Sequence, residues 1–139
     1  HSFPTRRSSD LVVDSSILIS SFLPDESGPD LEALFDGYDE ILAPGLLWAE
    51  LRNVLLVAER RGRVTDITSD AVMEAVDALG IVVDHALPGP RVTRLARRHS
   101  LSAYDALYLE LAVRHGATLT TLDSALARAA RAEGIRVTP

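Results

Sequence analysis

Leu11-Val12-Val13-Asp14-Ser15-Ser16 decides how this chain is read: three apolar residues, two of them β-branched, run straight into a carboxylate and two hydroxyls. So short and apolar a run predicts a strand buried on both faces, as in parallel sheets covered by helices. Open sheets of that kind bind ligands beyond the carboxyl ends of their strands, and Asp14 stands at such an end. Glu50, Asp105 and Asp123 recur later in comparably apolar settings. Whether these four acids converge is the functional question.

The 139 residues suit one domain with a single core. No apolar stretch approaches the ~20 residues that span a bilayer, and no secretory signal is seen. Without cysteine there are no disulfides, thiolate metal sites or cysteine nucleophiles, which fits a reducing cytoplasm. The net charge of −6 argues against coating nucleic acid by charge alone. All 14 basic residues are arginine. A chain with no lysine is neither a P-loop NTPase nor a Schiff-base enzyme, and it leaves arginine, the better bidentate phosphate ligand, as the cation for a substrate.

His1 to Asp10, HSFPTRRSSD, has neither apolar periodicity nor a targeting pattern. It resembles the translation of a sequencing adapter, so the expectation is a non-native leader over 1–10 and one domain over 11–139.

Beyond the first strand, Ser16 to Leu23 suits a short helix stopped by Pro24, and Pro29 to Tyr38 suits a second. Glu40 to Ala43 reads as a strand. From Leu46 to Arg61, Leu47, Leu51, Val54, Leu55 and Ala58 form one helical stripe, and Glu50 lies within it. A helix over Asp70 to Leu79, capped by Thr68 or Ser69, leads to a strand over Ile81 to Val83. Pro90 to His99 is a helix carrying Arg91, Arg94, Arg97 and Arg98, read either as a solvated face or as a phosphate-contacting one. Ser102 to His115 is apolar almost all round, as buried helices are. Asp105 shares a side with Leu101, Tyr108, Leu109 and Ala112, opposite the pair Glu110 and Arg114. Ala117 to Thr120, Ser124 to Glu133 and Ile135 to Thr138 complete the series as strand, helix and edge strand. Such alternation implies parallel pairing and a three-layer α/β/α sandwich around a mainly parallel sheet of five strands.

A cluster of carboxylates suits hard divalent cations such as Mg²⁺ or Mn²⁺, which in turn make close like charges tolerable. One or two such ions can activate water, orient a phosphodiester and stabilise its leaving oxygen. Taken singly, Asp14 and Asp123 are more simply helix N-caps. Glu50 and Asp105 have no cap to make, and burying an unpaired charge is costly. Ser16 and Thr121 are either turn hydroxyls or groups that orient the acids. Trp48 and Tyr104 are read as core rather than as base-stacking platforms. His85, His99 and His115 lack ligand spacing.

Four stretches, VVDSS with Asp14, LLWAELRNVL with Glu50, SAYDALYLELA with Asp105 and TLTTLDSALARAA with Thr121 and Asp123, together resemble the PIN domains, in particular the VapC-type toxins of toxin–antitoxin pairs. The resemblance extends from Leu11 to the C-terminus in order and spacing. It implies a Mg²⁺- or Mn²⁺-dependent endoribonuclease, with Asp14, Glu50, Asp105 and Asp123 as catalytic and metal-binding residues and Ser16 and Thr121 in support. It also implies the strand order 3-2-1-4-5, a cytoplasmic homodimer, and inhibition by a VapB-like antitoxin. Arg94 and Arg97 are the candidate contacts to RNA.

Two other readings remain at this stage. Phosphatase or phosphotransfer domains of the haloacid-dehalogenase or receiver type also place Asp after a first strand, but they rely on a lysine that this chain lacks. A non-catalytic PIN-like interaction module would retain the fold without the metal. DNA as the substrate is likewise not separated from RNA.

Overall fold

The computed structural model describes residues 9–23 and 26–138. Most of the expected leader and the Pro24 stop lie outside the described residues.

The first strand, β1 (Leu11–Val13), is wholly buried and central. Its alternation builds two cores. Val12 faces one with Leu42 and Leu119, while Leu11 and Val13 face the other with Ile41 and Ala43. Side chains two apart on a strand share a face, so three residues suffice to serve both layers.

Beside β1 run β2 (Ile41–Pro44) and β4 (Thr118–Thr120), flanked in turn by β3 (Val82–Asp84) and β5 (Val137–Thr138). All four pairings are parallel, in the order β3-β2-β1-β4-β5. This is the five-stranded α/β sandwich expected from the sequence. Val12 pairs with Leu42 on one side and Leu119 on the other, which fixes the register at the centre.

The Leu11/Val13 face packs against α1 (Ser15–Phe22), α2 (Leu31–Phe35), α3 (Leu46–Arg60) and α4 (Asp66–Asp77). In α3 the inward stripe is Leu47, Leu51, Leu55 and Ala58. The Val12 face is covered by α5 (Gly89–His99), α6 (Ala103–His115) and α7 (Ser124–Ala132). Gly116 ends α6 at φ 60°, a left-handed conformation that glycine adopts without a Cβ penalty.

Several expectations are corrected. Helix α4 begins one turn earlier than its apolar pattern suggests, because Thr65 is the cap and its hydroxyl accepts from the Thr68 amide at 3.1 Å. Ser69 is instead buried inside the helix. Helix α2 is shorter than expected and starts after Asp30, whose side chain accepts from the Glu32 amide. Trp48 and Tyr104 are not core residues: they are 62% and 63% exposed. Trp48 lies beside the inward stripe of α3, under the Arg52 guanidinium at 3.9 Å from the ring centre. His99 is packed at the end of α5, where its ring meets Glu133 at 2.7 Å.

Candidate active site

The site lies past the carboxyl ends of β1 and β4. The Asp14 amide donates to the Thr120 carbonyl at 3.1 Å, extending the β1–β4 ladder by one rung before the chain turns into α1. Asp14 occupies the N-cap position of α1 but makes no side-chain cap bond. Its carboxylate is held by hydroxyls instead. Thr121 Oγ1 donates to Asp14 Oδ2 at 2.6 Å, and Ser16 Oγ donates to the same oxygen at 2.9 Å. Ser15 Oγ approaches Oδ1 at 3.4 Å. Each of the two closer hydroxyls is fixed in turn by a backbone donor: Thr121 Oγ1 accepts from the Asp123 amide at 3.0 Å, and Ser16 Oγ accepts from the Leu122 amide at 3.1 Å. A hydroxyl has one proton to give, so these amides leave it no better acceptor than Asp14. Asp14 as a whole is 5% exposed.

Asp123 fulfils the cap reading. Its Oδ1 accepts from the amides of Ala125 and Leu126 at 2.9 and 3.1 Å, at the start of α7. Among the described contacts, Oδ2 has no hydrogen-bond donor.

Glu50, in the second turn of α3, is half-buried, and its Oε1 accepts from the Tyr108 hydroxyl at 2.5 Å. Burial pushes its carboxyl above the usual glutamate range; the Tyr108 hydroxyl pulls it down, and the charges of Asp14 and Asp105 push it up again. Asp105, in the first turn of α6, is raised first by burial and then by repulsion from Asp123 and Asp14. The Ser102 side chain opposes this, and Ser102 Oγ also accepts the Asp105 amide as the cap of α6. These repulsions link all four acids. The four sequence-predicted acids therefore lie within electrostatic reach of one another at one end of the sheet.

The donor set fits a hard divalent cation in its chemistry. All the ligand atoms are oxygens, and among the described residues none of the four acids has an arginine or histidine ion pair. In Asp14, Glu50 and Asp123 the closest protein donors engage one carboxylate oxygen and leave lone pairs on the other. The arrangement is not a closed cage: among the described residues no three acids or histidines stand together at ligating spacing.

Arg94 and Arg97 lie elsewhere. Both are exposed on α5. Arg94 borders a cavity of about 180 Å³ with Arg91, Arg98, Arg114, Glu110 and Glu133, and none of the four site acids lines it. Arg97 is not part of that lining.

Two participants escape a reading of the sequence alone. Tyr108 looks like one more apolar position of α6, and the only hint of its role is the three-residue spacing from Asp105, which places both on one helical face. Ser15, to which the sequence assigns no role, interacts with Glu50 and Tyr108 as well as Asp14.

Comparison with known proteins agrees with this architecture. The PIN domain family pattern matches residues 11–132. Ribonuclease VapC3 of Pyrobaculum aerophilum is 31% identical over 121 residues, which cover 84% of this chain and 92% of that protein. Ribonuclease VapC1 of Mycobacterium tuberculosis is 38% identical over 91 residues, which cover 63% of this chain and 65% of the relative. Among solved structures, PAE2754 from P. aerophilum superposes with a TM-score of 0.71 at 25% identity, covering 92% of this chain and 83% of that one. FitAcB from Neisseria gonorrhoeae gives 0.63 at 16% identity, covering 93% and 96%, and supports the fold alone. The chain belongs to the PIN-domain family, as a VapC-type member.

Proposed function

We propose that this protein is a metal-dependent endoribonuclease, the toxin of a VapBC-type pair. The observation that carries the reading is a set of four carboxylates, each repelled by at least one other and none paired with a cationic side chain among the described residues, around an Asp14 held in place by Thr121 and Ser16. RNA as the substrate follows from the relatives named as ribonucleases.

Asp14, Glu50, Asp105 and Asp123 would hold Mg²⁺ or Mn²⁺. When bound, such a cation supplies Lewis-acid activation of water and charge to offset that of the phosphodiester. The chain's own residues do the positioning. Thr121 and Ser16 aim Asp14, and the α7 amides aim Asp123. Glu50, with Oε1 held by Tyr108 and Oε2 left open among the described hydrogen bonds, would take the proton of the attacking water. The water oxygen would join phosphorus as the bond from phosphorus to the departing nucleoside oxygen breaks; the leaving oxygen would take a proton from solvent, and Glu50 would return its own to solvent.

A VapB-like antitoxin, a homodimeric state and a cytoplasmic location belong to the same proposal and rest on family membership. Among the described residues no helix is long and apolar enough to cross a membrane.

The test is cleavage of labelled tRNA and of a structured RNA with Mg²⁺ or Mn²⁺, with chelator, and beside Asp14→Asn. Cutting that requires both metal and Asp14 upholds the reading. A second reading, a non-catalytic interaction module, draws on the absence of a closed cage of three ligands. Neither cleavage nor metal binding by calorimetry would favour it.

A further inference from the structure

We propose that Tyr108 is a positioning residue that holds Glu50 inward, toward Asp14 and Asp105, and so sets the site's affinity for its cation. This rests on the metal-dependent reading given above.

Tyr108 is completely buried in α6, one helical turn after Asp105, as part of the core that also contains Val12 and Leu42. Its hydroxyl donates to Glu50 Oε1 across 58 positions of sequence. Glu50 belongs to α3, which packs on one face of the sheet, and Tyr108 to α6, which packs on the other. The bond therefore joins the two helical layers at the carboxylate cluster.

Glu50 has reason to leave. It faces the charges of Asp14 and Asp105, burial disfavours its ionised form, and no cationic side chain pairs with it among the described residues. A glutamate has three rotatable side-chain bonds through which it can swing toward water. Tyr108 has a rigid ring fixed by packing on all sides, so its hydroxyl sits at one place. A hydrogen bond from such a donor to a carboxylate is charge-assisted and roughly twice as strong as a neutral one. The phenol is the donor of this bond, since an ordinary tyrosine hydroxyl is protonated at neutral pH. With Oε1 occupied by Tyr108, ligation falls to the remaining lone pairs of Glu50. Groups that hold metal ligands in this way commonly change affinity or activity 10- to 100-fold when removed, roughly the range expected here.

A buried tyrosine hydroxyl usually finds some acceptor, so the bond could serve the fold alone. The two roles separate in a double-mutant cycle read by Mn²⁺ calorimetry on the full chain without RNA. Tyr108→Phe is expected to weaken Mn²⁺ binding about tenfold. In the Glu50→Gln background the same substitution is expected to add no further loss, because the residue it acts through no longer carries charge. In cleavage assays Tyr108→Phe should lower kcat and leave the KM for RNA unchanged. Wild-type Mn²⁺ affinity in Tyr108→Phe, or an equal loss in both backgrounds, overturns the proposal. If Tyr108→Phe alone fails to fold, recovery of folding in the Tyr108→Phe/Glu50→Gln pair assigns the hydroxyl to the Glu50 charge, and failure of both overturns it. A wild-type protein that binds no Mn²⁺ removes the metal-dependent reading and this proposal together. Binding that is insensitive to Tyr108 removes this proposal alone.

Discussion

Thr121 and Asp14, 107 positions apart in sequence, are joined by a 2.6 Å hydrogen bond that locks the loop after β4 to the end of β1. The Thr121 oxygen is shared, since it also accepts the Asp123 amide. Two of the four acids are thereby placed by one hydroxyl. Thr121→Val keeps the shape and removes both bonds. Cleavage is expected to fall roughly 10- to 100-fold, as for other groups that orient metal ligands. Denaturant unfolding should show a loss of about 1–2 kcal/mol, the cost of leaving buried partners unsatisfied. Thr121→Ser, which retains the oxygen, should recover most of both.

Asp14→Asn is expected to abolish cleavage while preserving the fold. The amide still offers an oxygen to Thr121 or Ser16 and removes one charge from a repelling cluster. Circular dichroism and melting alongside the cleavage assay check this. Full activity in the variant would defeat the site assignment.

The cluster has a pH signature. Glu50 and Asp105 bind protons more readily in the folded chain than in the unfolded one, because their pKa values are raised from 4.5 and 3.8. Their ionisation therefore costs stability above those raised values, and the cost disappears as pH falls below the ordinary ones. Asp84 and Glu133 behave oppositely: Arg114 and His99, respectively, lower them, so their stabilisation is present at neutral pH and lost in acid. In metal-free buffer Asp105→Asn should melt above wild type at pH 7 and lose that advantage below about pH 4. Added Mn²⁺ should stabilise wild type more than the variant. Melting curves at the two pH values, with and without the ion, decide it.

Arg114 is expected to matter for stability rather than for cleavage chemistry. Its guanidinium bonds both oxygens of buried Glu110, at 2.9 and 3.0 Å, and also the Asp84 carboxylate at the end of β3. Arg114→Ala would leave buried Glu110 only the longer 3.7 Å contact with the exposed Arg91, at a cost of up to about 3 kcal/mol. Glu110→Gln in the same chain should restore part of that loss in urea unfolding.

Arg94 and Arg97 tie cleavage to salt if they meet the phosphate backbone. Each replacement by alanine should then reduce the slope of log affinity against log salt by roughly 0.7, the value for a single-stranded phosphate contact. Unchanged affinity and slope in the double variant would make them ordinary solvated residues.

The alternation of strands and helices and the four unusual acids were legible because each rests on a local signal: a short apolar run ending in Asp, or an acid inside a helical apolar stripe; the strand order came only with the resemblance to PIN domains. What was not legible depends on partners distant in sequence. Nothing in SAYDALYLELA says that Tyr108 will face Glu50, since that depends on how α3 and α6 meet over the sheet edge. Trp48 reads as core rather than as a base-stacking platform, yet one 100° step from Leu47 carries it out of the stripe, where Arg52 covers it. Asp123 shows that the bland and the functional reading need not compete: one oxygen caps α7 and the other remains.

The central position of β1 governs when activity can arise. Its neighbours on the two sides lie about thirty and more than one hundred residues downstream, so the chain must close a very long loop before the strand is paired on both edges. During synthesis Asp14 emerges early and waits without Thr121 or Asp123. A nascent chain at the ribosome, surrounded by RNA, thus carries separate acids and no assembled centre. Competence arrives as a late event, once nearly the whole domain has been made.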